Sequence, residues 1–594
     1  MDVSSPRTEA SSMEASSKRF CCISVRRCIP LVYREELYHI LHMTGPLVAS
    51  RILNYLLPFV ITMFCGRLGN SVLAGYGMAS ATINITTAAT GGGLALAADT
   101  LFSQTFGGKN LMRVGVILQR SVLILLLFCL PCWALLINTQ PILLLLGQDP
   151  EVARIAQIYV VFYLPAVPAM FLHQLQVAYL QNQGVILPQM YAAIAANIAN
   201  LMTNYSLLNW LDLGLYGSAA ANTISQIYIC VFLYLYIRWK KLHIDTWGGW
   251  SCDSLQQWDG YMKLAIPSTM MMCFEWWIYE VGGFLAGMLS ELDLAAQHAV
   301  IMLAFINYMF PLGIQGAACV RVGNALGAGD TDGAIRTSKV SLICTAVLAV
   351  LQCLVLVSTK TVIGFLFTSD RQIVALVSKL LNVYCVLQFF DGLVCVSMGI
   401  LLGSGQQKIA AVANFFGYYC IGLPLGTSLM FAAKLDVVGF WLGLLICVCV
   451  QSSFFITVIF KLNWKRVTKE AVERAGKSKV SEVTPPDSVT NGLICPVGPT
   501  ARHSENRDEY MGVSSHDQDE IHNNTVAQEK EKLSTFQLIL RRGLITFAAV
   551  LILAIGIAVH LIVPLPEIPD TVGANTTLDL NFTTNSPLIY STSV

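Results

Sequence analysis

Long apolar runs of about twenty residues recur along the chain, broken by short polar stretches, and each run is long enough for a helix to cross hydrocarbon. The pattern predicts twelve such helices before residue 461, at 40–64, 72–102, 114–137, 155–180, 185–208, 215–238, 261–289, 293–317, 338–358, 374–402, 409–431 and 437–460. A thirteenth follows at 540–562, led by Arg541 and Arg542. Before it, residues 461–539 turn polar, carry Pro485-Pro486 and many Ser and Asp, and show no apolar period. Such a stretch cannot bury enough surface to order itself and reads as a disordered linker. The N-terminus is polar and Ser-rich, without the apolar core of a cleaved signal peptide.

The two halves echo each other at an offset near 221. Pro46 matches Pro267, Leu73-Ala74 matches Leu294-Ala295, Gly184 matches Gly405, and Gly217 matches Gly439. Gln104-Thr-Phe-Gly107 matches Asn324-Ala-Leu-Gly327 at offset 220. Six spans per unit is an even number, so both units enter the membrane from the same side. The expected fold is all-α: a polytopic membrane protein of two six-helix bundles, related by a pseudo-twofold along the membrane normal, plus a thirteenth helix. Two bundles of this kind rock about a central site in transporters. The expected divisions are an N-terminal segment 1–39, a first bundle 40–238, a linker 239–260, a second bundle 261–460, the disordered cytoplasmic linker 461–539, the thirteenth helix 540–562 and a tail 563–594. Gly91-Gly-Gly93, Gly282-Gly283, Pro165, Pro168, Pro311 and Pro424 interrupt or loosen the spans, for close packing or for hinge motion.

Composition agrees with a membrane protein. Charged residues make up only 12% of the 594 and hydrophobic residues 55%, with mean hydropathy +0.61. Basic and acidic residues balance at 37 against 36, which leaves no field to attract nucleic acid. The 18 cysteines are scattered, mostly in apolar runs, and suggest packing rather than a disulfide framework. Cys21, Cys22 and Cys28 beside Arg26 and Arg27 are candidates for acylation. Lys and Arg cluster in the loops that are cytoplasmic if the N-terminus is inside, among them Lys109, Arg113, Arg120, Lys240 and Lys241. That orientation puts the C-terminal tail outside, which suits the glycosylation triplets Asn575-Thr-Thr and Asn581-Phe-Thr.

Few ionisable residues fall inside the spans, and such residues are expensive enough there to be functional candidates. Glu275 and Glu280 lie in the seventh span, Asp391 in the tenth, Asp99 near the end of the second and Arg51 in the first. Glu275 and Glu280 stand about 140° apart around a helix, so a straight helix cannot aim both at one ligand. Tyr279 shares the face of Glu275. Asp99 has Lys109 and Arg113 within reach at the inner surface. Burial favours the neutral form of a carboxyl, so one carboxyl near neutral pH holds either a proton or a cation. That competition is a simple basis for exchange. Phe274, Trp276, Trp277 and Tyr279 offer aromatic faces for an organic cation; the alternative is that they face lipid or the core. Asn54 and Tyr308 are further cavity candidates.

Taken together, Arg321-Val-Gly-Asn-Ala-Leu-Gly-Ala-Gly-Asp330, Glu275-Trp-Trp, Gln104-Thr-Phe-Gly107, Gln181-Asn-Gln-Gly184 and Leu401-Leu-Gly-Ser-Gly405-Gln resemble the multidrug and toxic compound extrusion (MATE) transporters, in order over about residues 30–465. The polar linker and thirteenth span resemble the vertebrate multidrug and toxin extrusion branch. The resemblance implies export of small organic cations (drugs, toxins, metabolites) in exchange for protons. The proton gradient is then the energy source and no cofactor is needed. It further implies an apical plasma membrane in epithelia and function as a monomer. It makes Glu275, Glu280 and Asp391 the coupling residues, Asp391 standing where that branch has Glu. Cys65 and Cys129 fall where that branch has cysteines near substrate.

Two departures weaken the negative charge of such a cavity. Met302 stands where the resemblance implies a further glutamate, and Arg51 where it implies a neutral polar residue. Cation affinity then falls, or the range shifts toward zwitterions or anions. His298, four residues before Met302 on the same face, either supplies a titratable group or is a hydrogen-bonded structural histidine. Sodium coupling is the other transporter reading. A membrane enzyme is disfavoured, because the nine histidines include no HxxxD or HExxH arrangement. A channel would conduct without exchange.

Overall fold

The computed structural model describes residues 30–366, 370–476 and 534–562. The cysteines 21, 22 and 28, the Pro-Pro of the polar linker and both Asn-X-Thr triplets of the tail lie outside the described residues.

The first bundle holds α1 (Leu31–Leu68), α2 (Asn70–Ile83), α3 (Ala89–Gly107), α4 (Leu111–Ile137), α5 (Thr139–Leu145), α6 (Pro150–Tyr163), α7 (Ala166–Asn182), α8 (Leu187–Tyr205) and α9 (Gly214–Trp239). The second holds α10 (Trp258–Gly287), α11 (Glu291–Ala328), α12 (Thr331–Thr359), α13 (Arg371–Ser404), α14 (Gln407–Asn414), α15 (Leu423–Thr427) and α16 (Asp436–Lys461). After them come α17 (Trp464–Ala475) and α18 (Thr535–Ile562). A π turn at Asn84–Ala88 joins α2 to α3. Among the described residues, nine helices are long and apolar enough to cross a membrane, or ten if the α6–α7 pair counts as one span. The other expected spans, 72–102, 185–208 and 261–289, coincide with helices interrupted by polar groups: Asp99 and Gln104, Asn197 and Asn200, and Glu275 and Glu280.

The fourth span bends by 58° where Leu164 and Pro165 separate α6 from α7, at one of the interrupting prolines. Two expectations are corrected. The first helix begins at Leu31, not near 40, and Glu36 within its added turns is paired with Arg321. Residues 464–475 of the supposed disordered linker form α17. Asn463 caps its start by accepting from the Arg466 N–H at 3.2 Å, and Gly476 ends it in the left-handed conformation. Trp464, Val467, Thr468, Ala471 and Ala475 form its buried stripe at helical spacing.

The repeat is visible in detail. Gly184 and Gly405 both close a helix with φ 77°, a conformation that favours glycine. Gly217 and Gly439 both pack on the π turn that precedes them, Ser206–Trp210 and Ser428–Ala432. The first halves of α1 and α10 are exchanged between cores. Ile40 and Leu47 belong to the core of the second bundle, whereas Tyr261, Leu264 and Ala265 belong to that of the first.

This exchange lies at one end of the molecule, where the bundles meet closely. A Cβ on Gly107 would run into the backbone of Asn324, and one on Gly327 into the backbone of Gln104. The matched motifs therefore cross each other as a symmetric pair. Nearby, the Gln104 amide donates to Gly403 O at 2.9 Å, Thr100 donates to Leu402 O at 2.7 Å, and Tyr261 donates to Leu94 O at 2.8 Å. Arg321 grips Glu36 through Nε and Nη2 at 2.5 and 2.6 Å. Helix α17 lies across this same end. Its Arg474 donates to Gln104 Oε1 at 3.1 Å, its Ala475 carbonyl accepts from Asn110 at 3.3 Å, and its Thr468 hydroxyl pairs with Thr331 at 2.8 Å. Helix α18 docks on α4, where Gly556 O accepts from Asn138 at 2.9 Å.

Of the loosening residues named above, Gly91 packs on Phe171, Gly93 on Thr269 and Gly282 on Phe440, whereas Gly283 faces open space. Gly327→Ala should therefore lower the thermal midpoint of the purified protein, by an overpacking penalty of about 1–3 kcal/mol. Gly283→Ala should leave the midpoint unchanged or raise it slightly in the same detergent melt.

Candidate functional site

Helix α13 places Tyr384, Gln388, Asp391 and Cys395 on one face by their three- and four-residue spacing, and all four are buried. Helix α10 presents a buried stripe of Ser268, Met271, Glu275, Ile278 and Gly282. The two faces meet inside the second bundle. Glu275 is 9% exposed and Asp391 7%, and the two carboxyls act on one another electrostatically. Tyr308 of α11 donates its hydroxyl to Glu275 Oε1 at 2.5 Å. Tyr279, one turn after Glu275, feels both carboxyls.

A polar scaffold fixes the tenth-span side. Asn307 donates to the Tyr384 hydroxyl at 3.2 Å and to Gln388 Oε1 at 3.4 Å. Gln388 in turn donates to Ala349 O at 2.7 Å, and Gln352 to Asn307 O at 2.9 Å. The Tyr418 hydroxyl is buried without a partner among the described residues and acts electrostatically with Glu275 and Asp391. An unpartnered buried hydroxyl beside two carboxyls leaves hydrogen-bonding capacity for a solute or water. The signal for this scaffold was present as isolated Asn, Gln and Tyr residues within apolar runs; none of Asn307, Gln352, Tyr384 and Gln388 was singled out from them.

The other expected site residues are distributed differently. Helix α10 runs unbroken through Gly282 and Gly283, so Glu280 points away from Glu275 and is exposed, together with Trp276 at 38%. Trp277 is half-buried, with its indole N–H unpartnered. Cys65 and Cys129 are 0% and 2% exposed inside the first bundle, where Cys65 meets the hydroxyls of Tyr159 and Ser218. His298 is exposed and makes no hydrogen bond among the described residues. Met302 lies between the bundles, its sulfur accepting from Tyr55 at 3.4 Å. Asn54 keeps a buried, unpartnered Oδ1. Asp99 is not held by Lys109 or Arg113. Its Oδ1 accepts from Asn182 at 2.6 Å, and the cation it feels is Arg51. Asn182 ends α7 beside α3, and this places its amide closer than either basic loop residue.

Two helical bundles closed on each other at one end, with buried carboxyls inside one of them, are the construction of a membrane transporter. The MatE family model matches residues 46–206 and 267–427, two blocks whose starts and ends are each 221 apart. The multidrug and toxin extrusion protein 1 of Danio rerio is 47% identical over 557 residues, covering 92% of this chain and 94% of the relative. That of Homo sapiens is 46% identical over 551 residues, covering 90% and 95%. The crystal structure of the eukaryotic MATE transporter AtDTX14 superposes with a TM-score of 0.72 at 27% identity, covering 75% of this chain and 99% of that one. The chain belongs to the MATE family of multidrug and toxin extrusion transporters, and it is an efflux transporter rather than an enzyme.

The contrast between the seventh-span glutamates is testable by thiol chemistry. Glu280→Cys should react with maleimide in detergent on the order of tenfold faster than Glu275→Cys, because reaction follows exposure. Site-resolved mass spectrometry distinguishes either thiol from the native cysteines.

Proposed function

We propose that this transporter exports organic cations (drugs, toxins and metabolites) in exchange for protons by alternating access, with Glu275 and Asp391 as the shared site. The observation that carries this reading is the Glu275–Tyr308 contact with Asp391 in electrostatic range, two buried acids with no basic side chain bonded to either among the described residues. A buried carboxyl pair resists carrying two charges. A proton satisfies it, and so does a bulky cation, but not both at once. Tyr308 orients Glu275, and Tyr308 and Tyr279 supply aromatic surface to a cation. Glu280, on the opposite face of α10, becomes an accessory acid that relays or attracts cations rather than sharing the central site. Each pH unit of gradient supplies about 1.4 kcal/mol, or about tenfold in solute concentration.

The closed end carries Arg113, Arg336 and Lys339 near its loops, which supports a cytoplasmic assignment for it and for the N-terminus. On that reading the bundles are shut toward the cytoplasm, there are thirteen spans and the C-terminal tail is outside. Apical plasma membrane and a working monomer complete the proposal.

Vesicles reconstituted with the full chain and given an acidic interior should take up labelled tetraethylammonium, and nigericin should abolish the uptake. Uptake driven by sodium with no response to pH would overturn proton coupling. Glu275→Gln should reduce proton-driven uptake to the level of empty vesicles; normal exchange in that variant would remove Glu275 from the site. Met302→Glu should lower the KM for tetraethylammonium severalfold if negative charge limits binding, and an unchanged KM would show that it does not.

A further inference from the structure

Helix α1 turns one stripe toward the second bundle. Thr44 and Val48 pack on Gly313 of α11, and Leu47 packs beside Gly316. Two turns further on, Tyr55 meets Met302 and stacks at a tilt on Phe305, ring centroids 6.3 Å apart. Arg51 stands on this stripe between the two contacts, three residues after Val48 and four before Tyr55. Its depth is therefore that of Tyr308, which lies on α11 between Phe305 and Gly313 and holds Glu275. Cys395 of α13 independently places them together, because it acts electrostatically with Arg51, Glu275 and Asp391 alike.

Arg51 is half-buried in this seam, and among the described residues it makes no hydrogen bond or ion pair. The nearest acid of its own bundle, Asp99, feels the Arg51 charge but makes no direct ion pair with it and spends Oδ1 on Asn182. His173, nine-tenths buried with an unpartnered Nδ1, adjoins Arg51. A guanidinium presents five donors in a planar fork suited to carboxylates, and at this depth Asp99 tempers its charge without filling that fork. The second bundle thus offers two acids and the first bundle one base whose donors are open, across the same gap.

We propose that the cavity is bipolar: Arg51 receives the carboxylate of a zwitterionic solute whose ammonium group lies at Glu275 and Asp391. The solute class is an organic cation that also carries a carboxylate, with the two charges separated by a chain long enough to bridge the bundles. This inference rests on the proposed cation site and adds the anionic half of the ligand. It also assigns a role to charge that would otherwise only repel the exported cation.

The test uses 6-(trimethylammonio)hexanoate and its methyl ester, which share the quaternary ammonium and differ in the carboxylate. Equilibrium binding to the purified full chain reads affinity without requiring a proton gradient. The native protein should bind the zwitterion more tightly than the ester. Arg51→Gln should weaken zwitterion binding about tenfold or more, the loss of a charge-assisted pair, while the ester binds as well or better. Arg51→Lys should recover part of the zwitterion affinity. Equal weakening of both probes, or a zwitterion that binds the native chain no better than its ester or not at all, would overturn the bipolar cavity. Ester binding that survives in that case leaves the cation site standing. Loss of ester binding in Glu275→Gln, with zwitterion binding also lost, ties both to the same cavity; ester binding unaffected by Glu275→Gln would overturn the cation site itself.

Discussion

Everything in this molecule is arranged around a place where two backbones touch without side chains between them. Gly107 lies against the main chain of Asn324, and Gly327 against that of Gln104. Contact at such range excludes any larger residue, and it brings α3 and α11 together at one end only. The hydrogen bonds from Gln104, Thr100 and Tyr261 gather at the same end. With that end fixed, helices α1 and α10 reach across into the opposite cores. The carboxyls then sit beyond the crossing, buried in one bundle and facing the seam with the other. A rocking motion that opened the closed end would have to break these contacts together, which makes the closed arrangement a discrete state rather than a point along a slope.

The site also distinguishes scaffold from working groups. Asn307, Gln352 and Gln388 satisfy one another and the backbone, so they hold shape. Glu275, Asp391 and the Tyr418 hydroxyl are left with spare capacity, so they are free to exchange partners. Burial raises the cost of every unpaired group, and the second bundle confines that cost to a few neighbouring atoms. The first bundle follows the opposite course, keeping a base in the gap whose nearest acid, Asp99, tempers its charge while bonding to Asn182.

Much of this was legible in the sequence, for a physical reason: a charge in an apolar run is conspicuous whatever its surroundings. Glu275, Asp391 and Arg51 could be picked out that way, and the duplicated glycines set the offset that relates the halves. Partners were far less legible. Tyr308 and Glu275 are 33 residues apart and meet only because α10 is rotated to turn Glu275 inward and Glu280 outward. Asp99 was assigned to nearby basic residues, yet its partner Asn182 is 83 positions away. Helix α17 escaped notice because its buried stripe relies on Thr468, Ala471 and Ala475 between charged residues, a face too weakly apolar to stand out in a polar stretch.

The attachment of α18 differs in kind from that of the other long helices. It meets the body along one side, at Ala134 of α4 and Asn138 just past its end, with Arg542 bonded to Leu255 O and lying over Trp258. Most of its remaining surface is exposed, and neither bundle's core includes it. It is thus an outrigger, joined to α17 by a long stretch of chain and moored to the half of the molecule that α17 does not extend. Held on that one side, α18 rides with α4, so any rocking of the halves carries it along with the first bundle rather than across the seam.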